Sequence, residues 1–481
     1  MSLIRCLLVS SLLFTMVISA QNKPILYDFN EIPQSLSVNP GVEIDFKWYA
    51  GLPLLSGVSA YAGSNGISVN DIFADDGLDI NIKVRERALG GLTPRDEFSA
   101  TVQLEYLHGG FRAADPSIFY SFGGYLEMDN STYWPQDYAR LVFDGNADQL
   151  DEKFDLSDLK SRGAMVNVLH FGINKKIDRT LTIGVRGKLY SGIVDYSSTA
   201  NNGYLVNTEG QNNRIATTLD ADLLLRTSGL QALEEAGDSG TANSELVKRA
   251  FFGGDLGLGV DLGFTYHLSD RTTVTGSVLD LGFMYHYSDP KSYSLNGKAT
   301  IEGIEIDILE DFGSLNRDFW QDLVDDVETL VPFETDTKSY ITFRPTKLYA
   351  SIRNDFGEPV DNAGSQLNCD CTAGSSGGGE LRTKYRNSIG GQLYMINRPR
   401  GPQMALSGFY TRRLGNFLAL KGTYTIDKFS YTNVGLGVNL QAGPLNFYVM
   451  ADNLLSYNNI AATNYASFQF GLNIISWGRT K

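Results

Sequence analysis

Between Asp255 and Leu268 the chain reads DLGLGVDLGFTYHL. Leu256, Leu258, Val260, Leu262, Phe264, Tyr266 and Leu268 share one parity; Asp255, Gly257, Gly259, Asp261, Gly263, Thr265 and His267 share the other. Successive side chains on a β-strand point to opposite sides, so this strand has one wholly apolar face and one of glycine, carboxylate and imidazole. A water-soluble sandwich tolerates one such run. Its recurrence along a chain with almost no helical periodicity is far more constraining. It predicts a barrel whose outside meets lipid and whose lumen is polar.

The N-terminus supplies a route of export. Met1 to Ala20 carries one cation, Arg5, then an apolar stretch from Cys6 to Ile18, then Ser19 and Ala20 ahead of Gln21. That is the layout of a secretory signal peptide over residues 1–20, cleaved after Ala20. Cys6 lies inside the apolar stretch, so it is not a lipoprotein cysteine. No other segment approaches the ~20 apolar residues of a membrane helix. An exported chain of this kind can cross a membrane only as a closed barrel, because lipid cannot satisfy open strand edges.

Composition fits that reading. The chain has 50 glycines, 25 tyrosines and 26 phenylalanines, yet its mean hydropathy is only -0.15. A barrel averages out as hydrophilic because half of each strand faces water. The net charge of -15 becomes -16 once Arg5 leaves with the leader. No basic footprint exists, and no nucleic-acid partner is expected.

Candidate spanning strands follow from the parity rule. Val42, Ile44, Phe46, Trp48, Ala50 and Leu52 open the series against Glu43, Asp45, Lys47 and Tyr49. Phe98, Ala100, Val102, Leu104 and Tyr106 come next, then Ile118, Tyr120 and Phe122. Segments 164–174 and 179–190 form a pair around Lys175-Lys176-Ile177-Asp178, with Arg186 and Lys188 opposite Val185 and Leu189. Ile215, Leu219, Ala221, Leu223 and Leu225 oppose Asp220 and Asp222. In 271–286 the apolar phase slips near Val278-Leu279, which predicts a β-bulge. The C-terminal third is a run of seven segments with short turns, ending on Ala466, Phe468, Phe470, Leu472 and Ile474 against Ser467, Gln469, Gly471 and Asn473. The expected fold is all-β: a transmembrane antiparallel barrel of about 14 strands.

Several stretches resemble a Bacteroidota family of outer-membrane β-barrels of unknown function. They are Phe29-Asn30-Glu31-Ile32-Pro33-Gln34-Ser35-Leu36 with Asn39-Pro40-Gly41, Pro135-Gln136-Asp137-Tyr138 leading to Gly145-Asn146-Ala147, Ile183 through Gly192, and Phe343 through Leu348. The motifs are shared with PorV-type barrels, accessories of the Type IX secretion translocon, and with FadL-type fatty-acid channels. Val168-Leu169-His170-Phe171 departs from the resemblance, since relatives carry a Tyr-Glu pair there. The resemblance implies about 14 strands with an N-terminal segment tucked into the lumen. The domain reading is therefore a signal peptide at 1–20, a lumen or plug segment at 21–41 and the barrel at 42–481. No activity is implied.

The residues give little to an enzyme. The four histidines are His108, His170, His267 and His286. His267 and His286 could approach each other across the 268–271 turn, and Asp261 and Asp280 lie on the same strand pair. Lumen side chains bonded to neighbours explain them better than a metal, which needs converging ligands with a second shell. No nucleophile elbow, zinc spacing or phosphate loop occurs. No catalytic, cofactor-binding or metal residue is assigned, and no cofactor is expected.

Three further features stand apart. Cys369 and Cys371, ahead of a glycine-serine run, form either a strained disulfide or two thiols on a loop. Asp144, Asn146, Asp148, Glu152 and Asp155 imitate calcium-loop spacing, but Gln149 stands where that loop needs glycine, so a turn without calcium is expected. In Leu309–Val331, Phe312, Leu315, Phe319, Leu323, Val327 and Leu330 recur at three and four, which predicts one loop helix with an acidic outer face.

The expected protein is a non-enzymatic outer-membrane barrel whose partners are outer-membrane lipid and the proteins of a larger surface or secretion assembly. The alternative is a FadL-like channel for hydrophobic solutes. On the 255–268 strand, Leu258, Val260 and Leu262 are expected to face lipid, with Gly259 and Asp261 facing the lumen. Asp261→Asn is expected to spare assembly, whereas Val260→Arg is not.

Overall fold

The computed structural model describes residues 23–145, 149–210, 215–302, 333–360 and 383–477. The expected signal peptide, the Leu309–Val331 helix and the Cys369–Cys371 loop lie outside the described residues.

Fourteen antiparallel strands close into a barrel. They are β1 (Trp48–Gly51 and Gly57–Ser64), β2 (Glu97–Arg112), β3 (Ile118–Tyr133), β4 (Ser161–Lys176), β5 (Leu181–Ser198), β6 (Asp255–His267) and β7 (Thr272–His286). Next come β8 (Tyr340–Phe343 and Lys347–Pro359), β9 (Tyr385–Arg398), β10 (Gly401–Leu414), β11 (Leu418–Ile426), β12 (Asn433–Ala442), β13 (Leu445–Asp452) and β14 (Tyr465–Ser476). Each pairs with the next in sequence, and both pieces of β1 pair with β14 as well as β2, for example Val58 with Phe470 and with Leu104. Closure leaves no open edge to the ring. The expected fold class and strand number are borne out.

Sidedness follows parity. On β6, Leu258 is 57% exposed, Val260 41% and Leu262 43%, while Asp261 is fully buried. The same inversion runs round the wall, with Phe171, Val185, Phe283, Ile352, Leu406 and Phe468 exposed. An apolar band of this extent does not face water. No helix among the described residues is long and apolar enough to cross a membrane; the strands do so.

The bulge expected near Val278-Leu279 is present. The β6–β7 register jumps between Val260 and Leu262, and Asp280 takes a left-handed φ of 59°. The extra residue turns the Asp280 carboxylate into the lumen, where it is buried.

Two expected wall segments are not wall. The series opening at Val42 becomes strand only at Trp48, while Val42, Ile44 and Phe46 are buried with Phe119 and Ile475 inside the barrel. Their parity continues that of Trp48, but the chain has turned into the lumen. Ile215–Ser228 is a strand outside the barrel, in a sheet ordered Lys153–Asp155, Asn202–Glu209, Ile215–Ser228, Pro290–Glu302, Phe333–Asp336. That sheet springs from the upper end of β5, where Asp195–Ser197 pair with Arg226–Ser228. Its apolar face is satisfied by cross-strand leucines, Leu219 against Leu205 and Leu223 against Leu295. Alternation alone does not distinguish that partner from lipid.

Candidate functional site

The lumen is the interior that the closed wall creates, and residues 23–46 run through it. They form a chain of turns, in which Phe29 donates to Leu26, Ile32 to Phe29 and Val42 to Asn39, with a short 3-10 stretch at Pro33–Ser37. The remaining backbone carbonyls need partners from elsewhere. The wall supplies them. Gln392 donates to the Pro24 carbonyl (2.6 Å), Arg186 to those of Leu36 (2.8 Å) and Ser37 (2.7 Å), and Ser277 to Val38 (2.6 Å). Asn174 donates to both Pro40 and Val42, each at 2.8 Å, and Lys421 to Tyr27.

Side chains add to the grip. Tyr27 stacks on Tyr349 at 4.8 Å, and Gln34 and Asn473 exchange a reciprocal pair of amide bonds at 2.9 Å. Arg413 holds Glu31 at 2.5 Å. Burial alone would raise the Glu31 carboxyl, but Arg413 and Lys384 outweigh it and hold it down to about 2. Burial lowers the Lys23 ammonium to about 8, partly opposed by Glu105. At Gly41 an added Cβ would lie 2.4 Å from the Gly263 carbonyl oxygen, so the plug touches the wall backbone there and tolerates no side chain.

Above the plug an ionic belt crosses from β5 to β3. Arg186 (2.7 Å) and Lys188 (3.0 Å) hold Asp261; Lys188 (2.5 Å) and Lys347 (3.0 Å) hold Asp280; Lys347 (3.7 Å) and Arg344 reach Glu127. Arg398 makes a second closure on Asp129 at 2.6 Å. Asp261 and Asp280 do share the β6–β7 pair and are joined through Lys188. Breaking a buried pair by removing one partner leaves the other charge uncompensated. The expectation that Asp261→Asn is harmless is therefore corrected, because Asp261 is the centre of the belt and not a solvated lumen carboxylate. The sequence placed Arg186 and Lys188 on the inward parity, but their partners come from other strands of the ring.

Small polar cavities remain. One of about 30 Å³ lies between plug and belt, beside Lys23, Gln103, Tyr125, Lys347 and Tyr349. Another of about 50 Å³ lies at the short-turn mouth, beside Glu31, Asp45, His267, Lys384 and Arg413. The first has room for about two waters.

The two histidines of the β6–β7 hairpin are separated. His267 and His286 do not meet, since His267 sits beside the 268–271 turn and bonds Thr273 (2.9 Å), whereas His286 ends the far side of the same hairpin. A turn brings together only the residues next to it, and His286 is a full strand away. His108 bonds Gln34 and Tyr49, at 3.2 and 3.0 Å. His170 lies over Tyr125 and His108, each ring 6.0 Å away. His286 links Asp255 (2.8 Å) and Thr342 (2.8 Å), the order of groups in a hydrolytic relay. Asp255 also accepts from Ser228 (2.6 Å) and from the N–H groups of Tyr287 (3.0 Å) and Ser288 (2.9 Å). The cluster thus ties β6, β7 and β8 to the base of the projecting sheet.

Among the described residues no three His, Cys, Asp or Glu side chains are placed to hold a metal. Of the calcium-like residues, 146–148 lie outside the described residues. Asp144 pairs with Arg85 (2.9 Å), Glu152 with Arg140 (2.7 Å), and Asp155 accepts from the Ser157 N–H (2.8 Å).

Residues 40–452 match the model of a family of unknown function, DUF5723. The chain belongs to that family. The match begins inside the plug and runs through β13, so in this DUF5723 protein it spans most of the wall and the projecting sheet. No curated protein sequence matches the chain. Among solved structures, the toluene transporter TodX of P. putida is similar at 12% identity, covering 95% of this chain and 92% of that one, with a TM-score of 0.36. The toluene transporter TbuX of Ralstonia pickettii is 10% identical over 92% of each chain, with a TM-score of 0.38. A FadL homologue of Pseudomonas aeruginosa is 10% identical, covering 93% and 94%, with a TM-score of 0.37.

Proposed function

We propose that this DUF5723 protein is a sealed, non-enzymatic barrel of the outer membrane that serves as a subunit or accessory of a larger surface or secretion assembly. The observation that carries this reading is the lumen. Its plug is bonded to the wall along its length, and a belt of paired charges lies across the space above it. A channel for apolar solutes needs a continuous apolar path, and burying such a belt along one is costly. The projecting sheet and the other described loops at the end opposite the 113–117, 177–180 and 268–271 turns offer that end to protein partners. Reconstituted into planar bilayers and liposomes, the barrel should neither conduct ions nor speed uptake of an apolar fluorescent solute. Cross-linking and mass spectrometry of native membranes should recover a constant set of partner proteins. Fluorophosphonate labelling should leave Thr342 unmodified.

One observation favours a second reading, a gated channel for hydrophobic solutes. Beneath the plug residues Ile25, Leu26, Tyr27 and Phe29 the wall is apolar, formed by Leu279, Tyr394, Ile396, Ala405, Ala419 and Met450. Withdrawal of the plug would uncover that surface. If deletion of residues 23–38 opens the barrel to apolar solutes and native membranes yield no partner, the channel is the better reading.

A further inference from the structure

The lipid-facing parity of β4 and β5 is interrupted by polar residues. Asn167 shares the outward parity of Phe171 and Ile173, and Ser191 that of Val185 and Leu189. Polar groups facing hydrocarbon require partners. Arg249–Gly253, which follows the short helix Ala242–Lys248, supplies them from outside the barrel. Asn167 donates to the Ala250 carbonyl (2.8 Å) and accepts from the outward-facing Tyr106 hydroxyl (2.9 Å). Ser191 donates to the Arg249 carbonyl (2.7 Å) and accepts from the Phe252 N–H (3.0 Å). Arg249 is itself buried, donating to the carbonyls of Ile193 (2.8 Å) and Ser288 (3.0 Å). The segment is thus bolted to the wall through its backbone, and its large side chains are turned away. Phe251 is 55% exposed with its ring against Tyr106, Phe252 is 44% exposed and Val247 61%. Phe252 is held at φ 68°, a conformation a bulky residue adopts only when its surroundings impose it.

We propose that Arg249–Gly253 is a strap inserted into the membrane leaflet at the looped end of the barrel, with Phe251, Phe252 and Val247 among the acyl chains. The occupant is identified by continuity. The exposed rings extend the apolar band that begins with Leu258 on the adjacent strand, and they lie over a polar gap that bare lipid could not solvate. A bundle of acyl chains adapts to such a ridge without a matched pocket. The inference rests on the barrel spanning a membrane, so its test carries a control for that reading.

The test uses Phe252→Trp, with Leu258→Trp as the wall control, in bilayers made with brominated or unbrominated phospholipid chains. The quantity read is the tryptophan emission each variant adds to that of the parent protein. Both variants should lose that emission in brominated bilayers and keep it in aqueous acrylamide. Loss to acrylamide alone for Phe252→Trp, with Leu258→Trp still quenched by bromine, overturns the strap and leaves the surface to water or a protein. Loss to bromine by neither variant overturns both the strap and the membrane reading. Val247→Trp, away from the strained residue, makes the same measurement if Phe252→Trp fails to assemble.

Discussion

The wall and the plug solve opposite problems with the same side chains. In the wall, leucine, valine and phenylalanine are exposed, while arginine, lysine and aspartate are buried, as with Leu258 against Asp261. In the plug, Ile25, Leu26, Tyr27, Phe29 and Ile32 are buried, packed on the apolar part of the lumen. The wall has its backbone bonded strand to strand; the plug is bonded locally through turns, and its remaining carbonyls take partners from wall side chains. Lumen polarity is thus a structural need. Asn174, Ser277, Arg186 and Gln392 stand in for the strand neighbours that the plug lacks.

The largest test of that contrast lies in the belt. Asp261→Asn should cost about 3–5 kcal/mol, because Arg186 is left buried without its carboxylate and Lys188 keeps only Asp280. Heat-induced loss of the compact electrophoretic form in detergent measures it. Stability equal to the parent would show that the lumen is wetter than its packing indicates.

On the opposite face of the same strand, Val260→Arg should cost ~2–4 kcal/mol if it lies near the bilayer midplane. The readout is the fraction of barrel that folds into liposomes. Unimpaired folding would mean that this face does not meet hydrocarbon.

Acid should loosen the plug before the wall. Glu31 is held at about 2 in the seated plug against 4.5 free, so its contribution is complete above pH 4.5 and is lost as pH falls towards 2. The effect should be roughly 2 kcal/mol, discounted for solvent at the mouth. Hydrogen exchange at plug amides should rise over that interval, and Glu31→Gln should remove the dependence.

The smallest effect should come from Asn174→Ala. It frees the Pro40 and Val42 carbonyls at a cost of about 1–2 kcal/mol. Faster exchange confined to residues 40–44, with an unchanged melting profile, would separate plug seating from wall stability.

Much of the wall was legible from parity, because alternation is a local property of an extended backbone. Leu258, Val260 and Leu262 outward, Gly259 and Asp261 inward and the bulge beside Leu279 all follow from it, whereas the count of about 14 drew also on the even number of closed barrels. Whether a face meets lipid, a plug or another strand is not local. Val42, Ile44 and Phe46 keep the parity of Trp48 yet leave the wall, and the leucines of Ile215–Ser228 pair with a sheet beyond the barrel. Arg186, Lys188 and Asp261 were readable as inward, but not as partners. Arg186, Asp261, Asp280, Lys347 and Glu127 come together only once five strands are closed into one ring, so their pairing depends on shear and register and not on spacing in the chain.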